Sequence, residues 1–328
     1  MLISDFPQRM AAPVYYGKKT KLLARQIPKN AIALLDHADI DEMAAMALIA
    51  GKVKAVLNCA PSMTGKYASL GTLRLKEANI PVYDLVDTSL VPLLQPGDVL
   101  IIKENEAWLQ KEKATYFFSP LMPYTASIIE EKLKMAEANL MESLRLFTEN
   151  TLHHALKEMQ EILKPMAIPN LRVQLKDRQV VGVTRGRGYY EDLLSLKPYI
   201  DEQHPIMIGV DGGADAILEC GYFPDLIIGD MDSVSLEALR SGAELVVHAY
   251  PNGEAPGLKR IQEAQLTAHL FPCFGTSEDA AYLLAYQAGA SLIVSLGSHT
   301  SMIDFLEKGR KGMGSTLLVR LKIGEKLI

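Results

Sequence analysis

Cysteine is scarce: Cys59, Cys220 and Cys273 lie far apart in a chain of 328 residues. No two of them have the spacing of a zinc or redox motif, which argues against a disulfide framework or a zinc centre and fits a reducing compartment. Long apolar runs are also missing. No stretch approaches the roughly 20 residues that a membrane helix needs. The N-terminus has no basic segment leading into an apolar core, so no signal peptide is evident. Positive charge is not in excess. The formal net charge is -5, which argues against nonspecific nucleic-acid binding but leaves room for a local basic loop on a phosphate. What is there, 48% hydrophobic and 22% charged residues, is ordinary globular composition at a length that accommodates two domains. The expectation is a cytoplasmic protein.

Strand-like and helix-like segments alternate through the first ~90 residues. Ala31–Leu35, Ala55–Cys59 and Pro81–Leu85 read as strands, with helices over Asp41–Ala50 and Thr72–Ala78. This predicts a small α/β unit with a parallel sheet. A β-rich patch follows, with a turn at Pro96-Gly97-Asp98 and strands at Val99–Lys103 and Ala114–Phe118. From Ser127 to Lys164 apolar residues recur every three or four positions, including Ile129, Leu133, Leu140, Leu144, Leu152, Leu156, Met159 and Leu163. A continuous helix of that length spans roughly 55 Å. It can be a connector packed along both domains or a helix pairing with its copy in a homodimer. Strand-like runs then return at Val180–Val183, Met207–Val210, Leu226–Ile228, Glu244–Val247 and Leu292–Leu296, separated by helix-like runs. The predicted organisation is an N-terminal α/β domain over 1–120, a long connecting helix over 121–168, and a doubly wound parallel sheet of about five or six strands over 169–328.

The chemistry concentrates at strand ends of the last segment. Gly229-Asp230-Met231-Asp232-Ser233 follows the apolar run Leu226-Ile227-Ile228. Carboxylates two residues apart past a strand end can project into one crevice, where open α/β sheets hold ligands. So close a pair repels, which a divalent cation and a phosphorylated ligand would relieve. The plainer alternative is an acidic turn with Asp232 capping the next helix. Val210 leads into Asp211-Gly212-Gly213-Ala214-Asp215. Here glycines allow close backbone approach and a helix start offers free N–H groups to an anion. Asp211 and Asp215 can take a metal or a ribose hydroxyl, or Asp211 can simply cap the helix. Gly275-Thr276-Ser277-Glu278-Asp279 is a third junction. Thr276 or Ser277 can cap a helix with acids in its first turn, or those acids can complete the carboxylate cluster. Basic counterparts are Arg185-Gly186-Arg187-Gly188 and Lys308-Gly309-Arg310-Lys311-Gly312, suited to phosphate oxygens or to solvent. His299, after the strand at Leu292–Leu296, is also placed for a role. Together these imply magnesium and a di- or triphosphate.

The N-terminal segment offers Asp36-His37-Ala38-Asp39-Ile40-Asp41, which reads as a metal-ligand group or as a loop with Asp39 capping a helix. Ser62-Met63-Thr64-Gly65-Lys66 follows a strand but lacks phosphate-loop glycine spacing, and suits a small anion at most.

Asp211-Gly212-Gly213-Ala214-Asp215, Pro224-Asp225 and Gly229-Asp230-Met231-Asp232-Ser233 resemble the catalytic domain of thiamin pyrophosphokinases. The resemblance implies a fold of that catalytic-domain type, with Mg2+ and ATP as cofactors. Asp211, Asp230 and Asp232 would be catalytic and metal-holding. Gly212, Gly213, Asp215 and Ser233 would line the nucleotide with Ser277 and Glu278, or with Asp279 in their stead, joined by Arg185, Arg187, His299 and Arg310 from the reading of the loops themselves. That family completes its thiamin site with a β-rich C-terminal domain. The tail from Thr300 to Ile328 is too short for one, and Gly297-Ser298-His299-Thr300 stands in place of the family's Gly-Gly-Arg-x-Asp-His. The nucleotide half of the site is therefore implied more strongly than the thiamin half. A wider match, carried by Asp36–Asp41, Gly65-Lys66-Tyr67, Val210 to Val234, His248-Ala249-Tyr250-Pro251, Ala255–Leu258, Gly275–Asp279 and Gly309–Met313, is similar to SteA-type cytokinetic-ring proteins of Gram-positive bacteria. It implies a role in cell division or envelope regulation with a division-protein partner. It also implies membrane contact through a segment that follows this C-terminus in that family.

Overall fold

The computed structural model describes residues 9–112, 114–164, 166–186, 188–298 and 313–328. The chain divides into two compact units, 1–145 and 146–328.

The first unit is a closed seven-stranded barrel with strand order β1-β2-β3-β4-β7-β6-β5. Its strands are β1 (Arg9–Gly17), β2 (Ile32–Leu35), β3 (Ala55–Asn58), β4 (Val82–Leu85), β5 (Val99–Lys103), β6 (Glu106–Lys111) and β7 (Ala114–Pro123). The expected parallel sheet and the expected β-rich patch are one structure, because β1, absent from the sequence reading, pairs with both. Val14–Gly17 run parallel to Ile32–Leu35, while Arg9–Pro13 run antiparallel to Val99–Lys103. Pro13, which cannot donate to a ladder, sits where the strand passes from one partner to the other. Alternation sorts the side chains of the central strands. Ile32, Leu34, Ala55, Leu57, Tyr83 and Leu85 fill the barrel. Ala33, Leu35, Val56 and Val82 face an outer layer. That layer is built by α1 (Thr20–Gln26), α2 (Glu42–Ala50), α3 (Gly71–Glu77) and α4 (Ala126–Ala138).

The helical pattern over 127–164 is realised as two helices, α4 and α5 (Leu140–Leu163), with Asn139 as the C-cap of α4. Ile129 of α4 belongs to the core of the first unit. Ile162 of α5 belongs to the core of the second.

The second unit is a six-stranded sheet in the order β12-β11-β10-β9-β8-β13. All of its pairings are parallel. The strands are β8 (Gln179–Thr184), β9 (Ile206–Val210), β10 (Leu226–Gly229), β11 (Glu244–Ala249), β12 (His269–Pro272) and β13 (Leu292–Leu296). One face carries α11 (Ser277–Gln287) and α12 (Met313–Ile323), packed on Val180, Ile208, Ile228 and Val246. The other carries α6 (Tyr189–Ser195), α7 (Lys197–Gln203), α8 (Gly213–Glu219), α9 (Leu236–Leu239) and α10 (Leu258–Glu263). Both faces are covered, so the strands read as continuous apolar runs. Gly213 is required where α8 starts, because a Cβ there would lie 1.8 Å from the carbonyl oxygen of Val183.

A buried carboxylate ties the barrel strands to the loops above them. Asp84 accepts from the Ser62 amide (3.1 Å to each oxygen), the Ser62 hydroxyl (2.6 Å) and the Tyr124 hydroxyl (2.7 Å). Asn58 donates to Ser62 Oγ and to the His37 carbonyl. Asp84→Ala would leave these buried donors without an acceptor, which costs about 3 kcal/mol. The urea midpoint is expected to drop with an unchanged slope. A midpoint equal to that of the parent chain would contradict this role.

Candidate functional site

Asp211, Asp230 and His248 stand at the C-terminal ends of β9, β10 and β11, three adjacent parallel strands. The Asp211 amide extends the ladder to the Ile228 carbonyl at 2.9 Å. Its own φ is 47°, a left-handed conformation that side-chain-bearing residues rarely adopt. This turn places the carboxylate over Gly229, whose φ is 149°. A Cβ at Gly229 would lie 1.9 Å from Asp211 Oδ1. The missing side chain is what makes room for the acid. Asp211 Oδ1 accepts from the Met231 amide at 3.1 Å, and the carboxylate also accepts from the Asp230 amide and the Ser277 hydroxyl. Met231 is a second left-handed residue, at φ 62°, so the loop after β10 wraps around the acid.

Burial, followed by the charge of Asp230, pushes the Asp211 carboxyl up to about 7, against its hydrogen bonds. The two acids are therefore close enough to feel each other. Asp230 is exposed and accepts from the Asp232 amide at 3.0 Å.

Other expected members have different duties. The Gly212 amide donates to Ser233 Oγ at 2.9 Å, which closes the turn between β9 and β10. Asp215 accepts from the Ser235 amide. Arg185 pairs with Glu219 and lies over the Tyr189 ring. Glu278 accepts from Ser298 at 2.8 Å and from Arg320 at 3.1 Å. Asp279 is buried and forms a capping box with Thr276, the N-cap of α11, while also accepting from Thr316. Of the residues at that junction, Ser277 alone bonds to Asp211. Arg187, His299 and Arg310, with the 308–312 loop, lie outside the described residues.

Asp232 is exposed, and its main-chain carbonyl is held by Arg260 Nη1 at 2.6 Å. Among the described residues no group of three or more His, Cys, Asp or Glu is arranged to hold a metal ion. The donor set at the strand ends is the pair Asp211 and Asp230. That suits magnesium only in company with phosphate oxygens and water, which is how this ion is commonly held.

Two neighbours were not anticipated. Arg260 also donates to the Val234 carbonyl, so one guanidinium from α10 pins the acid-bearing loop at two points. It lies 26 residues beyond that loop and has no local signal. His248 had a signal, a polar residue at a strand end beside two acid-bearing strand ends. In the first unit, Asp39 accepts from the Thr64 amide and hydroxyl, and Asp41 rather than Asp39 caps α2.

The class outlined is a parallel α/β domain with paired carboxylates at adjacent strand ends. No family model matches the chain. The chain is similar to a pyrophosphokinase: it is 38% identical over 105 residues to the 6-hydroxymethyl-7,8-dihydropterin pyrophosphokinase of Methanothermobacter thermautotrophicus. That match covers 28% of this chain and 45% of the relative, so it spans less than half of the relative's length. Among solved structures, thiamine pyrophosphokinase from Bacillus subtilis aligns over 46% of this chain and 60% of its own, at 21% identity and a TM-score of 0.28. An uncharacterized protein from Pseudomonas syringae aligns over 44% and 72%, at 10% identity and a TM-score of 0.19.

Burial pushes Asp279 from 3.8 to about 6, against the Thr276 and Thr316 donors. The folded state then holds this proton more tightly than the unfolded chain. Its contribution is complete below pH 3.8 and lost as the pH rises through about 6. Across that window the thermal midpoint is expected to fall more steeply with Asp279 present than in Asp279→Asn. Equal slopes would count against the assignment.

Proposed function

We propose that the second unit binds the phosphates of ATP with Mg2+ at Asp211 and Asp230 and passes a pyrophosphoryl group to a small alcohol. The observation that carries this reading is the carboxylate pair itself. Asp211 is pushed to about 7 by burial and by Asp230, a repulsion that a cation and its phosphates would relieve. The 38% identity to a pyrophosphokinase supports it. Bound magnesium would neutralise phosphate charge as the transferring group moves. The protein's own part is to hold the acids still: Ser277 and the Asp230 and Met231 amides fix Asp211, and Arg260 fixes the loop. Arg187 and Arg310 are proposed to steady the phosphates. The acceptor class is a primary alcohol on a heterocycle, such as the hydroxymethylpterin of the relative's name or thiamin.

A role in cell division or envelope regulation, with a division-protein partner and a membrane tether, rests on the resemblance to SteA-type proteins alone. No helix of the described residues is long and apolar enough to cross a membrane. A homodimer through α5 is supported by Leu152, Leu156, Met159 and Leu163, all exposed and spaced by four, three and four positions.

Calorimetry is expected to give magnesium-dependent ATP binding that weakens at least about 100-fold in Asp211→Asn with Asp230→Asn. No binding at about millimolar ATP would sink the nucleotide reading. AMP release that depends on an added alcohol separates a transferase from a binding module or scaffold. Light scattering at roughly tens of micromolar is expected to find a dimer that Leu156→Glu dissociates. A monomeric parent chain at that concentration would exclude it.

A further inference from the structure

β10 and β11 run parallel with Gly229 paired to Val247, so the next position on each strand is Asp230 on one and His248 on the other. His248 is half-buried, and its Nε2 lies 2.9 Å from the Cys273 carbonyl oxygen at the end of β12. A carbonyl only accepts. Nε2 therefore carries the ring proton and Nδ1 keeps its lone pair. Among the described residues Nδ1 has no hydrogen-bond partner. Burial holds the imidazole below its ordinary value, against the Cys273 bond and the nearby charge of Asp230. The ring is thus presented as a neutral acceptor beside one of the two acids proposed to hold the phosphates.

Resting on the transferase reading above, we propose that His248 is the catalytic residue that takes the proton of the acceptor alcohol. The alcohol oxygen bonds to the β-phosphorus of ATP. The bond from that phosphorus to the oxygen bridging it to the α-phosphorus breaks, and its electron pair leaves with AMP. The hydroxyl proton passes to Nδ1 and then to solvent, so alcohol and ATP give an alkyl diphosphate, AMP and one proton. The Cys273 carbonyl steadies the imidazolium formed at the midpoint, because both ring nitrogens then donate.

The test uses the full chain with magnesium, ATP and two alcohol probes in turn, thiamin and 6-hydroxymethyl-7,8-dihydropterin, with AMP as readout. His248→Gln keeps a donor for the Cys273 carbonyl. It is expected to bind magnesium-ATP as the parent chain does, with an unchanged KM for ATP and a kcat lower by about 10²–10⁴. His248→Ala is expected to regain part of its kcat when imidazole is added. A kcat in His248→Gln within about threefold of the parent, or no imidazole rescue of His248→Ala, would overturn the assignment. So would the absence of AMP release from the parent chain with either alcohol. Turnover and magnesium-ATP binding measured in the same samples separate the readings: a parent chain that releases AMP while His248→Gln keeps its kcat rejects His248 alone, retained binding without turnover rejects the transferase reading with it, and absent binding rejects the nucleotide site as well.

Discussion

The second unit is organised around one carboxylate lying where a side chain is missing. Asp211 occupies the space over Gly229, and no other residue type at 229 leaves that space open. From there Asp211 ties three elements together. Its amide extends the β9–β10 ladder, its carboxylate gathers the amides of the loop after β10, and Ser277 brings the start of α11 to it. The left-handed backbone at Asp211 and Met231 is the strain this arrangement stores. The loop does not relax out of it because Arg260 holds two of its carbonyls and Ser233 closes it onto Gly212.

The two units answer the same question differently. Each places acids in or just past strands that pair in parallel. In the barrel, Asp84 has donors from Ser62 and Tyr124, and Asp39 has two from Thr64. These acids are saturated and hold loops in place. At β9 and β10, hydrogen bonds do not offset the burial of Asp211 and the charge of Asp230. Burial also keeps Asp84 and Asp279 above the usual carboxylate range despite their donors; what sets Asp211 apart is that the next largest cause after burial is a second carboxylate, Asp230, a repulsion that a cation would relieve.

Much of the second unit was legible because its signals are local. Apolar runs of four or five residues ending in Gly-Asp or Asp-Gly mark β9 and β10, and the glycines there are needed where the backbone turns or closes up. β12 was not legible: it is four residues long, alternates exposed and buried positions, and contains Pro272. Nor was the choice among Ser277, Glu278 and Asp279, since all three suit a first helical turn, and only the direction of α11 puts Ser277 on Asp211 and Asp279 in the capping box. The barrel was missed for a similar reason. Nothing within nine residues containing Pro13 announces that their two halves pair in opposite senses with strands far along the chain. Arg260 shows the same limit at the site, as its partners are brought to it by the fold.

The divided pairing of β1 also sets an order of events in time. Val14–Gly17 meet their partners at Ile32–Leu35 soon after leaving the ribosome, but Arg9–Pro13 must wait for Val99–Lys103. At about 5–20 residues per second, that interval is roughly 5–20 s of synthesis. During it the emerging sheet has an open edge beside apolar side chains meant for the barrel interior. The strand order then keeps the barrel open until β7, which pairs with β4 and β6, has also emerged, and the nascent chain passes through a stage at which chaperone binding or mispairing competes with closure.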